Sequence, residues 1–256
     1  MTESTNMIEN RLLLAQLNHL LTPEKYQDYC PNGLQVEGSS QIDRIITGVS
    51  LTEKLIDKAI TYGANAIIVH HGIFWHKDDS TITGIKHRRL SKLIKHGINL
   101  YAYHLPLDNH QELGNNVQLA SKLDLVISGQ TEQQGLLWFG ELSKPRILID
   151  LVSEVELKLQ HKSLYFGQSS ARLMRKIAWC TGSADSLFNA AIKLDVDVYI
   201  TGEVSEPIMS MAEESGVAYI AAGHYATERY GIQALTEYLK HSLNIPVEYI
   251  ELYNPV

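Results

Sequence analysis

Only two cysteines, Cys30 and Cys180, occur in 256 residues, and their spacing excludes both a disulfide framework and a cysteine-rich zinc module. Any metal held by this chain must therefore be bound through nitrogen and oxygen. No apolar run approaches the roughly 20 residues that cross a bilayer. The amino-terminal stretch Met1 to Asn10 lacks the basic segment, apolar segment and small-residue cleavage site of an export signal. A cytoplasmic protein without a membrane partner is the expectation. Phosphate-cradling glycines are missing too: neither the Rossmann fingerprint nor the P-loop pattern occurs, which argues against a dinucleotide or Walker-type nucleotide site. No Gly-x-Ser-x-Gly elbow signals a serine nucleophile. Positive charge is scarce as well. The formal net charge of -7 disfavours unspecific phosphate neutralisation, so nucleic acid is not an expected partner.

What is present is ordinary for a globular protein, with 45% hydrophobic and 20% charged residues. This length forms one large or two smaller α/β domains. The organising stretch is Asn65-Ala66-Ile67-Ile68-Val69-His70-His71-Gly72-Ile73-Phe74-Trp75. An apolar run that stops at two histidines and a glycine reads as a buried parallel strand that delivers imidazoles to a loop at its carboxyl end. Open α/β sheets keep their chemistry there. Because neighbouring side chains on a strand point to opposite faces, His70 and His71 serve two metals side by side more easily than one.

In chain order, Met7 to Leu21 has helical spacing that ends before Pro23. Pro31-Asn32-Gly33 has the chemistry of a tight turn, with a loop near the site as its functional reading. Arg44 to Val49 reads as a strand and Thr52 to Tyr62 as a helix, with Thr52 as N-cap and Gly63 as stop. A basic helix around Lys86 to His96 precedes the strand Ile98 to Tyr103, which delivers His104 and, four residues on, Asp108. Asn115 to Leu123 is helical. Ile127 to Ser170 reads as short strands plus one helix near Val155 to His161. A helix from Glu206 to Ser215, a strand from Val217 to Ala222, a helix from about Thr227 to Ser242 and a strand from Pro246 to Leu252 complete the chain.

The second half repeats the first. Laying Arg44 to His71 over Lys176 to Glu203 without a gap matches Ile45 with Ile177, Leu55 with Leu187, Ala59 with Ala191 and Ile68 with Ile200. Glu203 then falls on His71, and His224-x-x-x-Glu228 echoes His104-x-x-x-Asp108. We therefore expect an α/β protein of two similar three-layer lobes related by internal duplication, residues 1–126 and 127–256, with a metal site between them. The residues at strand ends that bind cations are His70, His71, His104, Asp108, Glu203, His224 and Glu228. This nitrogen and oxygen set suits zinc, iron, manganese, nickel or cobalt rather than calcium. We take His70, His71, Asp108, His224 and Glu228 as direct ligands, and His104 and Glu203 as catalytic acid-base or ligand-orienting groups. His76 and His110 lie near candidate ligands. His19, His87, His96, His161 and His241 read as solvated, and Phe74, Trp75 and Tyr103 as packing.

Taken together, Pro31-Asn32-Gly33-Leu34-Gln35-Val36, His70-His71-Gly72, His104-Leu105-Pro106-Leu107-Asp108, Gly202-Glu203 and Gly223-His224-x-x-x-Glu228 resemble the Nif-three-like family of dinuclear metal-centre proteins. The likeness is to its YbgI-type branch, also called type 2 GTP cyclohydrolase 1 homologues. It implies paired α/β lobes, two divalent metal ions per chain, a toroidal homohexamer, and the five direct ligands chosen above. Cys30-Pro31 departs from the acidic residue that many relatives carry before the asparagine, and the long insertion of some relatives between the lobes is missing. The leading expectation is a metal-dependent hydrolase that attacks a small-molecule substrate, such as a purine nucleotide, with a metal-activated water. The rival is a non-catalytic metal carrier or scaffold protein, which would exchange its metal readily. Regulation through protein or nucleic-acid contact finds little support in the acidic composition.

Overall fold

The computed structural model describes residues 6–131, 135–167 and 172–256. The first five residues of the polar amino-terminal stretch, and parts of the 127–170 segment read as short strands, therefore lie outside the described residues. The chain runs β1 (Ile8–Glu9), α1 (Asn10–Leu21), β2 (Gly33–Val36), β3 (Gln41–Ile42), β4 (Ile45–Ser50), α2 (Glu53–Tyr62), β5 (Ala66–His71), α3 (Gly84–Lys95), β6 (Asn99–Ala102) and α4 (Leu105–Asn109). It continues through α5 (Asn115–Lys122), β7 (Leu125–Gln130), β8 (Trp138–Arg146), α6 (Leu148–Leu159), β9 (Leu164–Phe166), β10 (Met174–Trp179) and α7 (Phe188–Lys193). It closes with β11 (Val198–Thr201), α8 (Ile208–Ser215), β12 (Ala218–Ala221), α9 (His224–Ser242) and β13 (Val247–Tyr249). Among the described residues no helix is long and apolar enough to cross a membrane.

Two compact units result. Unit 1 comprises residues 1–107 and 232–252; unit 2 comprises 108–231 and 253–256. In unit 1 a five-stranded sheet of order β13-β4-β5-β6-β2 has β13, β4, β5 and β6 parallel and β2 antiparallel at one edge. Its helix α2 forms as the spacing predicts. Thr52 Oγ1 accepts the Leu55 amide at 3.1 Å, Leu55, Ile56 and Ala59 are buried, and Gly63 ends the helix at a φ of 66°. Ile67, Ile68 and Val69 of β5 are fully buried in the centre of this sheet. Each such side chain contributes about 1.5–3 kcal/mol. A one-residue slip would reverse every side chain, so this burial locks the register in which His70 and His71 arrive.

Unit 2 has a six-stranded sheet of order β7-β8-β10-β11-β12-β9. Its central strands β10, β11 and β12 are parallel, and β8 and β9 flank them antiparallel. The gapless alignment of the two halves is reproduced in the pairing: Ile45 faces Ala66 in unit 1, and their counterparts Ile177 and Val198 face one another in unit 2.

Three expectations differ from this arrangement. The lobes are not the contiguous halves 1–126 and 127–256. The carboxyl-terminal strand β13 pairs in parallel with β4 of unit 1, Val247 opposite Ile45, and Thr236 of α9 shares a 2.6 Å hydrogen bond with Thr47. Asp108 belongs to unit 2. Helix α6 starts at Leu148 rather than near Val155, because Leu148, Leu151, Val152, Val155 and Leu159 make one continuous buried stripe. Helix α9 opens at His224, three residues before the expected start, directly after Gly223 at a φ of 95°.

Candidate metal centre

In unit 1 the imidazoles come from the carboxyl ends of neighbouring strands. β5 lies between β4 and β6 and anchors one histidine to each side. His70 Nδ1 is 3.0 Å from the carbonyl oxygen of Tyr103, just beyond β6, and His71 Nδ1 is 3.0 Å from Ser50 Oγ at the end of β4. A carbonyl can only accept, so His70 carries its ring proton on Nδ1. The two rings stand 4.4 Å apart, centroid to centroid, and are tilted by 42°. His104 follows β6, with its ring 5.1 Å from His70 and 5.7 Å from His71. Each of the three offers a nitrogen within 4.8 Å of the other two. Trp75 packs against this group, its ring edge-on to His104 at 5.1 Å.

The turn before β2 reaches the same place. Asp28, whose side chain is 2% exposed, lies 2.7 Å through Oδ1 from His104 Nδ1. Oδ1 also accepts the Tyr29 amide at 2.6 Å, and Oδ2 accepts Asn32 Nδ2 at 2.8 Å and the Leu105 amide at 2.9 Å. Asn32 Oδ1 in turn accepts the His104 amide at 2.7 Å. Burial alone would raise the Asp28 carboxyl. The donors, led by His104, outweigh it and bring the pKa down to about 2. Cys30, Asp28 and His104 also stand within 4.8 Å of one another. Four N–H groups already occupy the Asp28 oxygens, however, which argues against a metal there.

Unit 2 supplies carboxylates. Asp108 on α4 is buried, and its Oδ1 accepts Asn115 Nδ2 at 2.8 Å and Thr181 Oγ1 at 3.3 Å. Asn116 Nδ2 donates to the Asp108 carbonyl at 3.2 Å, and its Oδ1 accepts the Thr181 amide at 3.1 Å. His224 and Glu228 stand one turn apart at the start of α9, with His224 Nε2 2.8 Å from Glu228 Oε2. Glu203, just after β11, holds the other ring nitrogen, Nδ1, at 2.5 Å. The Glu228 carboxyl fits because residue 182 is glycine. A Cβ there would run into Oε1 and lie 2.8 Å from Cδ and 3.2 Å from His224 Nε2. A carboxylate oxygen of Asp108 lies within 4.8 Å of one from Glu228. Burial alone would lower the His224 pKa, but the charges and hydrogen bonds of Glu228 and Glu203 override it and push it up to about 10. Positive charge is therefore favoured at this spot. Burial, with Asp108 and Glu228 close by, pushes the Cys180 thiol well up, which makes it a poor nucleophile.

Comparison with known proteins assigns the chain to a family. The family model described as Duf34/NIF3 (NGG1p interacting factor 3) matches residues 9–255. The chain belongs to the Duf34/NIF3 family. Proteins named GTP cyclohydrolase 1 type 2 homolog from Escherichia coli K12 and Yersinia pestis are 43% and 45% identical over 248 residues, covering 97% of this chain and all of each relative. A solved structure titled protein ybgI, of unknown function, superposes with a TM-score of 0.94 at 43% identity, covering 97% of this chain and all of that one. TTHA1606 from Thermus thermophilus does so at 0.86 and 31%, with the same coverage.

The donor set of this Duf34/NIF3 chain suits a divalent transition metal. Four imidazoles are each gripped at Nδ1, by a carbonyl, a hydroxyl and two carboxylates, the arrangement that orients histidine ligands. Two buried carboxylates within 4.8 Å of one another, Asp108 and Glu228, are costly without a cation nearby. Of the residues singled out in the sequence, unit 1 brings together His70, His71 and His104, and unit 2 brings together Asp108, Glu203, His224 and Glu228. His110 does not join them. Its Nδ1 accepts the Glu112 and Leu113 amides and closes a local turn. His76 is exposed. His161, read as solvated, is half-buried, lies 2.9 Å through Nε2 from the Pro255 carbonyl, and abuts Gly223. Sequence reasoning missed Asp28, Ser50, Asn115, Asn116, Thr181 and Gly182. The adjacent Asn115-Asn116 pair at a helix start was the one visible signal.

Proposed function

We propose that this protein is a metal-dependent hydrolase that binds two divalent cations per chain. The reading is supported most directly by the gripping of every clustered imidazole at Nδ1, which presets the opposite nitrogens as ligands or proton carriers. His70 and His71 are ligands from unit 1, and Asp108, His224 and Glu228 are ligands from unit 2. Cations bound there supply Lewis acidity and a water that ionises near neutral pH. Glu203 fixes the ring of His224. Asn115 and Thr181 aim the Asp108 carboxylate. His104 sits beside the ligand histidines and moves a proton to or from the substrate. The substrate is a small molecule of the purine nucleotide class, a reading carried by the names of the relatives. The family likeness noted in the sequence implies a homohexamer, and the cytoplasm is the expected location.

The test is elemental analysis of the purified protein, followed by a turnover screen on GTP and related small substrates with Mn, Fe, Co, Ni and Zn. Two metal equivalents per chain and metal-dependent turnover are expected. Bound metal with no turnover on any substrate would favour the carrier reading. Absence of metal would overturn both.

A further inference from the structure

We infer that Asp28 is the positioning residue of His104, holding its ring with the proton on Nδ1 and the lone pair on Nε2. The inference rests on the reading of His104 as the proton-moving group, and it gives the Pro31-Asn32-Gly33 turn a task. Asp28 stands two residues before Cys30, where the sequence reads as an ordinary loop. Its carboxylate is nearly sealed from solvent and accepts four N–H groups, from Tyr29, Asn32, His104 and Leu105. The low pKa that these donors produce keeps it ionised, and an ionised carboxylate has no proton to give. The hydrogen on the 2.7 Å contact therefore belongs to His104. Asn32 closes the device by donating to Asp28 and accepting the His104 amide, so ring and backbone of His104 are held by one turn. A ring fixed this way offers one defined nitrogen to its surroundings, which is what proton transfer to or from a substrate requires.

The arrangement makes a sharp prediction for Asp28→Asn, which keeps the shape. The amide can point its NH2 group toward His104 and the Tyr29 amide, or toward Asn32 and the Leu105 amide. The second choice sets it against two donors. The first sets it against one N–H, that of Tyr29 in an exposed part of the loop, and against Cys30 Sγ at 3.9 Å, a weak donor whose S–H can rotate away. The NH2 group therefore faces His104 Nδ1, which must then accept, and the ring proton moves to Nε2.

The experiment is long-range proton–nitrogen NMR on full-length protein labelled with 15N-histidine, at about pH 8.5, above the ordinary histidine range. The His104 signal is assigned by its loss in His104→Gln. Wild type is expected to show the Nδ1–H form, and Asp28→Asn the Nε2–H form, with the other histidines unshifted. In any metal-dependent turnover the variant should lose about 10²–10⁴ in kcat with its metal content unchanged. An Nε2–H form in wild type would overturn the inference by itself, whether or not the variant folds, and so would an unchanged His104 form in the variant. The spectra are taken on chelator-treated or zinc-loaded protein, because paramagnetic Mn, Fe, Co or Ni would broaden the nearby ring signals, and elemental analysis of the untreated protein reports separately on the metal reading.

Discussion

Replacing Gly182 with alanine should weaken cation binding at the Asp108 and Glu228 carboxylates of unit 2 while leaving the fold standing. Two effects add at this residue, and a second glycine separates them. Gly182 has a φ of 69°, where an L side chain costs about 1–2 kcal/mol. A Cβ there would also lie 2.8 Å from Glu228 Cδ. Carbon atoms settle at about 3.5–4.0 Å, so the carboxyl group must retreat by roughly 0.7–1.2 Å. Ligand distances in metal sites hold to about ±0.2 Å. The displaced Glu228 can no longer reach a cation shared with its neighbours, and we expect a loss of about 100-fold or more in affinity, about 3 kcal/mol. Gly216 is the control. Its φ is 73°, and a Cβ there meets nothing within 4 Å, so Gly216→Ala carries the backbone strain alone. Metal content after dialysis against a competing chelator, together with urea unfolding, reads both quantities. Measured metal-free, both variants should unfold about 1–2 kcal/mol more easily than metal-free wild type, but only Gly182→Ala should lose metal. Wild-type affinity in Gly182→Ala would refute the assignment of Glu228 as a ligand.

The other expectations follow the same geometry. Stripping the metals should lower the unfolding temperature, and added cation should restore it, by about 4 kcal/mol at a thousandfold excess over Kd; identical melting curves with and without chelator would count against a resident metal. Glu203→Gln removes the carboxylate that grips His224 Nδ1 at 2.5 Å, so metal affinity should fall about 10–100-fold with little change in urea midpoint; the reverse pattern would make Glu203 structural. Asp28 gives the pH dependence. Its carboxyl is lowered from 3.8 to about 2 when folded, so its contribution of about 2 kcal/mol is complete above the unfolded value and fades as pH falls from about 4 to about 2. The stability gap between wild type and Asp28→Asn should close over that interval in acid unfolding, and a gap that stays constant would refute the ionised, hydrogen-bonded carboxylate.

The candidate site residues at strand ends were legible because buried parallel strands write themselves plainly. Ile67 to Val69 form an apolar run that can only be a central strand, and whatever polar residue ends such a run stands at the sheet's carboxyl edge. His70, His71, His104 and Glu203 were found in this way. The groups that hold them were not legible, because they lie on irregular backbone whose partners are far off in the chain. Asp28 meets His104 across 76 positions, and Thr181 meets Asp108 across 73. No local period announces such a pair. The unit boundary was hidden for the same reason, since β13 joins β4 only through a pairing about 200 residues long in sequence.

The apparent echo between His104-x-x-x-Asp108 and His224-x-x-x-Glu228 shows where pattern reasoning slips by a single position. The strand pairing sets Asn99 of β6 and Ala218 of β12 in equivalent places, opposite Ala66 and Val198. Counting forward, the helix starts Leu105 and His224 coincide, and His104 corresponds to Gly223. His104 is therefore the last residue before its helix, where its ring can be taken up by Asp28, whereas His224 is the first residue within its own, where Glu228 sits one turn above it. One residue of offset gives two like-spaced histidines different partners. That difference is the physical ground for treating His224 as a ligand and His104 as the proton carrier, and it is why the tautomer of His104 bears directly on the division of labour.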